Sequence, residues 1–208
     1  MTQGRFITFE GGEGTGKSTQ VARLVEALRA RDLEVLQTRE PGGSDGAGEL
    51  RTRAPNGDAG RWWAMTETLL MFAARSDHLE RTIRPALEAG RWVVCDRFAD
   101  SSRAYQGAGG GTPAAFIESL DAAVVGPTQP DLTLVFDLPV EIGLERAFGR
   151  GLFETRFESK GLAFHERLRR RFLEIAEENA RRCVVIDATG DLDAVAGRVW
   201  RAVEDRLL

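Results

Sequence analysis

The chain is poor in the residues that build metal centres and disulfide frameworks: its 208 positions hold 2 cysteines and 2 histidines. Cys95 and Cys183 sit in apolar runs, Val-Val-Cys-Asp and Cys-Val-Val-Ile-Asp, where they read as small buried hydrophobes. Their spacing suits neither a zinc site nor a disulfide scaffold. His78 and His165 each stand inside a charged helical pattern, which argues against a histidine-based metal or nucleophile site. No apolar run approaches the length of a membrane span, so no membrane association is expected. The opening residues Met-Thr-Gln-Gly-Arg run straight into a strand-like segment without a signal-type apolar stretch, and a cytoplasmic location is expected. A basic surplus is missing too. The net charge of −4 argues against a protein that coats nucleic acid, so any anion site must be local.

What is present starts at Phe6-Ile-Thr-Phe-Glu-Gly-Gly-Glu-Gly-Thr-Gly-Lys-Ser-Thr19. Gly11, Gly16, Lys17 and Ser18 satisfy G-x-x-x-x-G-K-[ST], between an apolar strand pattern and a helical repeat at Val21, Leu24, Val25 and Leu28. Backbone N–H groups converge on a polyphosphate only where the chain curls without Cβ atoms in the way. Gly11, Gly12, Gly14 and Gly16 allow that, and the helix that follows adds its N-terminal partial charge. The loop Gly11, Gly12, Glu13, Gly14, Thr15, Gly16, Lys17, Ser18 and Thr19 is therefore the candidate ATP cradle. Lys17 is placed for the β- and γ-phosphates, and the Ser18 hydroxyl for Mg²⁺.

Five apolar runs alternate with helical stretches: 6–9, 35–37, 92–95, 132–136 and 184–186. This predicts an α/β fold, a three-layer P-loop type with a five-stranded parallel sheet flanked by helices and ligands at the carboxyl ends of the strands. Four runs end in a carboxylate, Glu10, Asp96, Asp137 and Asp187. Asp96 is the candidate outer-sphere Mg²⁺ ligand, and Arg97 beside it is either a solvated arginine or a bidentate anion grip. With no repeat, linker or low-complexity tract, one domain is expected over 1–208.

A long helix or broken pair is expected from about Met65 to Glu88, placing Phe72 and Arg75 on one face. A lone aromatic there reads first as core. A short helix near Gly48 to Arg53 and further helices over Val140 to Phe148, Leu162 to Ala180 and Leu192 to Leu207 are also expected. The triplet Arg169-Arg170-Arg171 reads as a solvated face. The glycine-bounded stretch of about 149–161, with Arg150, Arg156 and Lys160, looks like a lid that carries arginines over the phosphates.

Four motifs in this order, the P-loop, Thr38-Arg-Glu-Pro-Gly-Gly43, Leu69-Leu-Met-Phe-Ala-Ala-Arg75 and Asp96-Arg-Phe-Ala-Asp-Ser-Ser-Arg-Ala-Tyr-Gln-Gly107, make the chain resemble the thymidylate kinases over nearly its whole length. The resemblance implies phosphorylation of dTMP to dTDP by Mg²⁺-ATP in a homodimer. It implies that Glu13 receives the sugar 3′-hydroxyl, that Arg97 holds the dTMP phosphate and that Pro41 forms a pocket wall. Phe72 would stack on thymine, Arg75 would donate to its O4, Ser102 and Gln106 would lie near the base, and Tyr105 would block a ribose 2′-hydroxyl. The P-loop lacks an arginine, so the resemblance is to the type whose catalytic arginine lies in the lid, at Arg150 or Arg156. Departures from the family pattern fall at 44–63 and in the lid, which carries an extra residue before Arg156. Another nucleoside or nucleotide kinase is the nearest rival. A guanine-nucleotide switch is disfavoured, because neither Asn-Lys-x-Asp nor Thr-Lys-x-Asp occurs and no Asp-x-x-Gly follows the third strand.

Overall fold

A computed structural model describes residues 4–53, 61–149 and 160–208. In chain order the elements are β1 (Phe6–Gly11), α1 (Lys17–Arg29), β2 (Val35–Arg39), α2 (Asp45–Arg53), α3 (Ala64–His78), α4 (Arg84–Glu88) and β3 (Trp92–Asp96). They continue with α5 (Ala99–Ser102), α6 (Ala114–Val124), β4 (Leu132–Asp137), α7 (Val140–Phe148), α8 (Leu162–Glu178), β5 (Cys183–Asp187) and α9 (Leu192–Leu207). The strands form one parallel sheet in the order β2-β3-β1-β4-β5. The α/β expectation, with five parallel strands flanked by helices, is met.

Every strand runs one or two residues beyond its apolar run. Glu10 pairs with Val135, Gly11 with Phe136, Arg39 with Asp96 and Asp137 with Asp187. Ladder pairing with a neighbour, not side-chain polarity, decides where a strand stops. The terminal carboxylates therefore belong to the sheet itself and line its carboxyl edge.

Alternation along β1 sorts its side chains between two cores. Ile7 and Phe9 enter the cluster under α1 and α9, with Val21, Leu24, Val195 and Val199. Phe6 enters the opposite cluster, with Leu79, Ile83, Cys95 and Phe98. By the period of two, Glu10 shares the face of Phe6 and Thr8, and this drives a carboxylate into the layer beneath Phe98. A third cluster joins Tyr105 and Val135 to Phe164, Leu168 and Phe172 of α8. Both cysteines are buried and free.

Of the long helix or broken pair expected over 65–88, the structure has the broken pair. A π-helical turn over Leu79–Ile83 separates α3 from α4. Pro85 has no N–H to give and its ring crowds the carbonyl four residues back, so the regular ladder cannot continue. A second π-helical stretch, Arg103–Gly109, follows α5. The short helix α2 starts three residues earlier than its sequence suggests. Ser44 anchors that start, its Oγ accepting from Ala47 N and donating to Asp77 Oδ2 at 2.6 Å.

Candidate active site

β1 delivers the chain to its glycine-rich turn between two neighbours. At Gly11, φ is 134° and a Cβ would fall 2.5 Å from the Phe136 carbonyl oxygen. Only glycine lets this strand end so close to β4. The turn closes on α1, whose cap Gly16 is left-handed, offers no side-chain cap and is followed by no acid in the first turn. The uncapped N–H groups of that turn are suited to an anion. Lys17, 6% exposed, folds back to donate to Gly11 O (3.0 Å), Gly12 O (2.6 Å) and Thr15 Oγ1 (3.0 Å). Burial, and then the Arg97 charge, push its pKa down to about 8. Ser18 Oγ donates to Asp96 Oδ2 at 2.5 Å, so the two residues singled out for Mg²⁺ meet across 78 positions of sequence. Thr19 is exposed on the first turn of α1.

Arg97 is not a solvated arginine. It leaves β3 with φ 69°, its N–H donates to Phe9 O at 2.9 Å, and its guanidinium crosses to the P-loop. There it donates to Gly11 O (2.9 Å) and Glu13 Oε1 (3.1 Å) and lies over the Tyr105 ring. Tyr105 O–H donates to the same Glu13 oxygen at 2.6 Å. Burial works against a charged Glu13, but the Arg97 and Lys17 charges outweigh it and hold the carboxyl below its usual range. The backbone conformation at Arg97 costs on the order of 1 kcal/mol or more and must be enforced from outside. Glu10 does this: its fully buried carboxylate accepts from Phe98 N (2.8 Å), Ser101 N (3.1 Å) and Ser101 Oγ (2.6 Å). Burial, then the Asp100 charge, push Glu10 up to about 7. Sequence reading marked Glu10 by its place at a strand end but assigned it no role.

One residue on, α5 reaches a second cluster. Ser102 Oγ accepts from Arg75 Nη1 at 3.1 Å, Arg75 lies over the Phe72 ring at 4.7 Å, and all three side chains are buried. Arg75 also donates from Nη2 to Phe98 O (3.0 Å) and from Nε to Glu40 Oε2 (2.8 Å). Gln106 Nε2 donates to Glu67 Oε1 at 2.8 Å. A carboxylate only accepts, so this bond fixes which end of the Gln106 amide faces Glu67. Pro41 is half-buried beside Glu40, and its carbonyl accepts from Arg51 Nη1 at 2.8 Å. Sequence reading missed Glu40, Glu67 and His78. The available signal was on α3, where Glu67, Arg75 and His78 all fall on the buried face, an expensive place for charge unless it is paired.

On the other flank, a cavity runs between Gly12, Glu13 and Thr15 and the side chains Asp137, His165 and Arg169. Arg169 was read as part of a solvated face. Its side chain stays 39% exposed but grips Asp137 with two bonds of 2.6 and 3.0 Å, because Asp137 projects from the sheet face that α8 covers. Arg171, 24% exposed, pairs with Glu178 along α8. Arg150, Arg156 and most of the 149–161 segment lie outside the described residues. Among the described residues no cluster of three or more metal-type side chains occurs, and no helix is long and apolar enough to cross a membrane.

A glycine-rich turn with uncapped N–H groups, a hydroxyl–carboxylate pair and a buried arginine–aromatic cluster thus share one edge of the sheet. The family model for thymidylate kinase matches residues 9–199. The chain belongs to the thymidylate kinase family. It is 59% identical over 207 residues to a thymidylate kinase of Caulobacter vibrioides, covering 100% of this chain and 99% of that one. It is 52% identical over 208 residues to one of Bradyrhizobium diazoefficiens, covering 99% and 91%. The crystal structure of thymidylate kinase from Ehrlichia chaffeensis superposes with a TM-score of 0.77 at 31% identity, over 97% of this chain and 99% of that one. The chain is accordingly an ATP-dependent nucleoside monophosphate kinase.

Proposed function

We propose that this kinase, as a single domain in the cytoplasm, moves the γ-phosphoryl group of ATP onto the 5′-phosphate of dTMP, giving ADP and dTDP. An acceptor phosphate with a second pKa of about 6 is already largely a dianion at neutral pH, so no general base is required. The task is to hold two repelling polyanions in line and to neutralise charge as the group transfers. The P-loop from Gly11 to Thr19 cradles the ATP phosphates, with Lys17 on the β- and γ-oxygens. Arg97 holds the acceptor phosphate, and Arg150 and Arg156 of the lid supply charge to the transferred group. Phe72 stacks on thymine, Arg75 donates to its O4, and Ser102, Gln106 and Pro41 complete the base pocket. Glu13 takes the 3′-hydroxyl while Tyr105 fills the 2′ position.

The observation that carries this reading is the junction at α5. Ser101 touches Arg97 (3.4 Å), while its neighbour Ser102 touches Arg75, so one turn of helix links the phosphate-side cation to the base-side cation. The Ser18 hydroxyl and the Asp96 carboxylate are hard oxygen donors of the kind Mg²⁺ prefers, and their convergence fits that ion. When bound, Mg²⁺ supplies charge neutralisation on the donor phosphates. A homodimer is supported by α3, whose outer face exposes Met65 (47%) and Leu69 (48%) next to Trp63 (86%), an apolar stripe of the kind a second copy covers.

The reading is tested by incubating the protein with Mg²⁺-ATP and a panel of nucleoside monophosphates. dTMP should be converted fastest, dUMP more slowly through its missing methyl contact, and dCMP barely. Equal turnover of dCMP and dTMP would overturn the thymine assignment.

A further inference from the structure

A buried guanidinium needs a carboxylate, and the carboxylate that serves Arg75 is itself held. Glu40 lies in the turn after β2, and only one of its oxygens faces Arg75. The other, Oε1, is 3.1 Å from Nδ1 of His78. His78 is 0% exposed, and its Nε2 lies 2.7 Å from Thr38 Oγ1. The carboxylate can only accept, so Nδ1 carries the proton. In the neutral imidazole Nε2 then accepts from the Thr38 hydroxyl. The bonds run in a single direction: Thr38 O–H to His78, His78 Nδ1–H to Glu40, and Arg75 Nε–H to the second Glu40 oxygen.

Packing leaves this imidazole no alternative seat. Gly43 has φ 88°, and a Cβ there would fall 2.2 Å from His78 Nε2, so the β2 turn is wrapped directly on the ring. His78 also lies three residues after Arg75 on α3, hence on the same helix face. Arg75 has five N–H donors, of which Glu40, Ser102 and Phe98 take three. Among the described residues one N–H on each terminal nitrogen is left over.

We infer that His78 is a positioning residue for base recognition. Through Glu40 it locks the plane of the Arg75 guanidinium, so that the two remaining N–H groups meet a carbonyl acceptor on the base. An arginine free to rotate would lower its cost of meeting an amino group, so the lock is what rejects cytosine-type bases. This rests on the reading of Arg75 as the base-contacting cation.

The test compares kcat and KM for dTMP, dCMP and ATP in the parent, His78→Leu, His78→Asn, His78→Gln and Arg75→Ala. His78→Leu removes both bonds of the ring. KM for dTMP should rise roughly 10-fold or more, the scale of a lost bond to a charged group, while KM for ATP stays at the parental value. The dTMP-over-dCMP preference should shrink by a similar factor. Asn places its amide near Nδ1 and restores the donor to Glu40, so His78→Asn should recover most of the preference. Gln reaches towards Thr38 instead and should not. If His78→Leu does not fold, this contrast between Asn and Gln decides. Adding His78→Leu to Arg75→Ala should cost no further selectivity, since both act through one contact. A parental KM for dTMP in His78→Leu, equal rises in both KM values, or equal behaviour of the Asn and Gln variants would overturn the proposal. An unchanged preference in Arg75→Ala would instead overturn the reading of Arg75 itself.

Discussion

Gly14 of the P-loop and Gly143 of α7 meet backbone to backbone: a Cβ on Gly14 would fall 1.8 Å from the Gly143 carbonyl oxygen. The converse also holds, since a Cβ on Gly143 would fall 2.6 Å from the Glu13 carbonyl oxygen. The helix leading towards the 149–161 segment therefore rides directly on the loop that carries Glu13. Gly143→Ala should displace that carbonyl. Overpacking of this kind costs about 1 to 3 kcal/mol of stability, and a shifted loop should lower kcat/KM roughly 10- to 100-fold. Gly197→Ala in α9 is the control, because a Cβ there meets nothing within 4 Å. It should raise stability by up to about 1 kcal/mol and leave turnover alone. Thermal melts and steady-state kinetics on both variants check this, and parental kinetics in Gly143→Ala would show that the contact is not coupled to the site.

Lys17 should reveal itself in the pH profile of the free enzyme. Its pKa is held at about 8, so the ammonium is present below that value and is lost as pH rises through it. Since kcat/KM reports ionisations of the free enzyme, kcat/KM for ATP should fall above pH 8 with a midpoint near that value. Lys17→Ala should lose on the order of 10²-fold or more in kcat and should abolish that limb. A parental profile that stays flat to high pH would contradict the assigned charge.

Glu10 ties the stability of the fold to pH. Its folded pKa of about 7 lies above the ordinary value of 4.5, so between these values the folded chain holds a proton that the unfolded chain releases. The stability this group contributes is complete below pH 4.5 and is lost as pH rises through 7. At 1.36 kcal/mol per unit, the loss is about 3 kcal/mol at most. The parent melting temperature should therefore fall between pH 5 and 8, and Glu10→Gln should flatten that fall. The carboxyls with lowered pKa, Glu13, Asp77, Glu178 and Asp187, lose their contributions at more acidic pH and do not mask it. Parallel melting curves for parent and variant would place the pH dependence elsewhere.

The transition-state cation is expected in the lid, because the P-loop carries no arginine from Gly11 to Lys17. Arg150→Ala and Arg156→Ala should depress kcat more than they raise KM for dTMP, the pattern of an interaction made mainly in the transition state. Parental kcat in both single variants and in the double variant would exclude the lid.

Much of the architecture is legible in the sequence. Short apolar runs alternating with helical periodicity admit few arrangements other than a parallel sheet covered on both faces, because each crossover must bury an apolar helix stripe. A broken pair is one of the two forms expected over 65–88, but the kind of break was not legible. Pro85 was visible, but its consequence, a π-helical turn over Leu79–Ile83, depends on how α3 and α4 both pack against the sheet. Likewise the pairing of Arg169 with Asp137 depends on the parity of β4, which turns Asp137 towards α8.

The sequence by itself determined the glycine-rich turn and singled out Ser18 and Asp96, each from its own local motif, while their contact across 78 positions is tertiary. It also determined that Phe72 and Arg75 share a face, because i and i+3 are neighbours on any helix. Only the tertiary structure decided which carboxylate meets which donor. Glu10 reaches Ser101 across 91 positions, Glu40 reaches Arg75 across 35 and Glu67 reaches Gln106 across 39. Such partners are set by strand parity, helix phase and the close approach of glycine backbones, and none of these follows from residue type. Charge buried in a layer must find its counter-charge wherever the packing brings one, and the packing is a property of the whole chain.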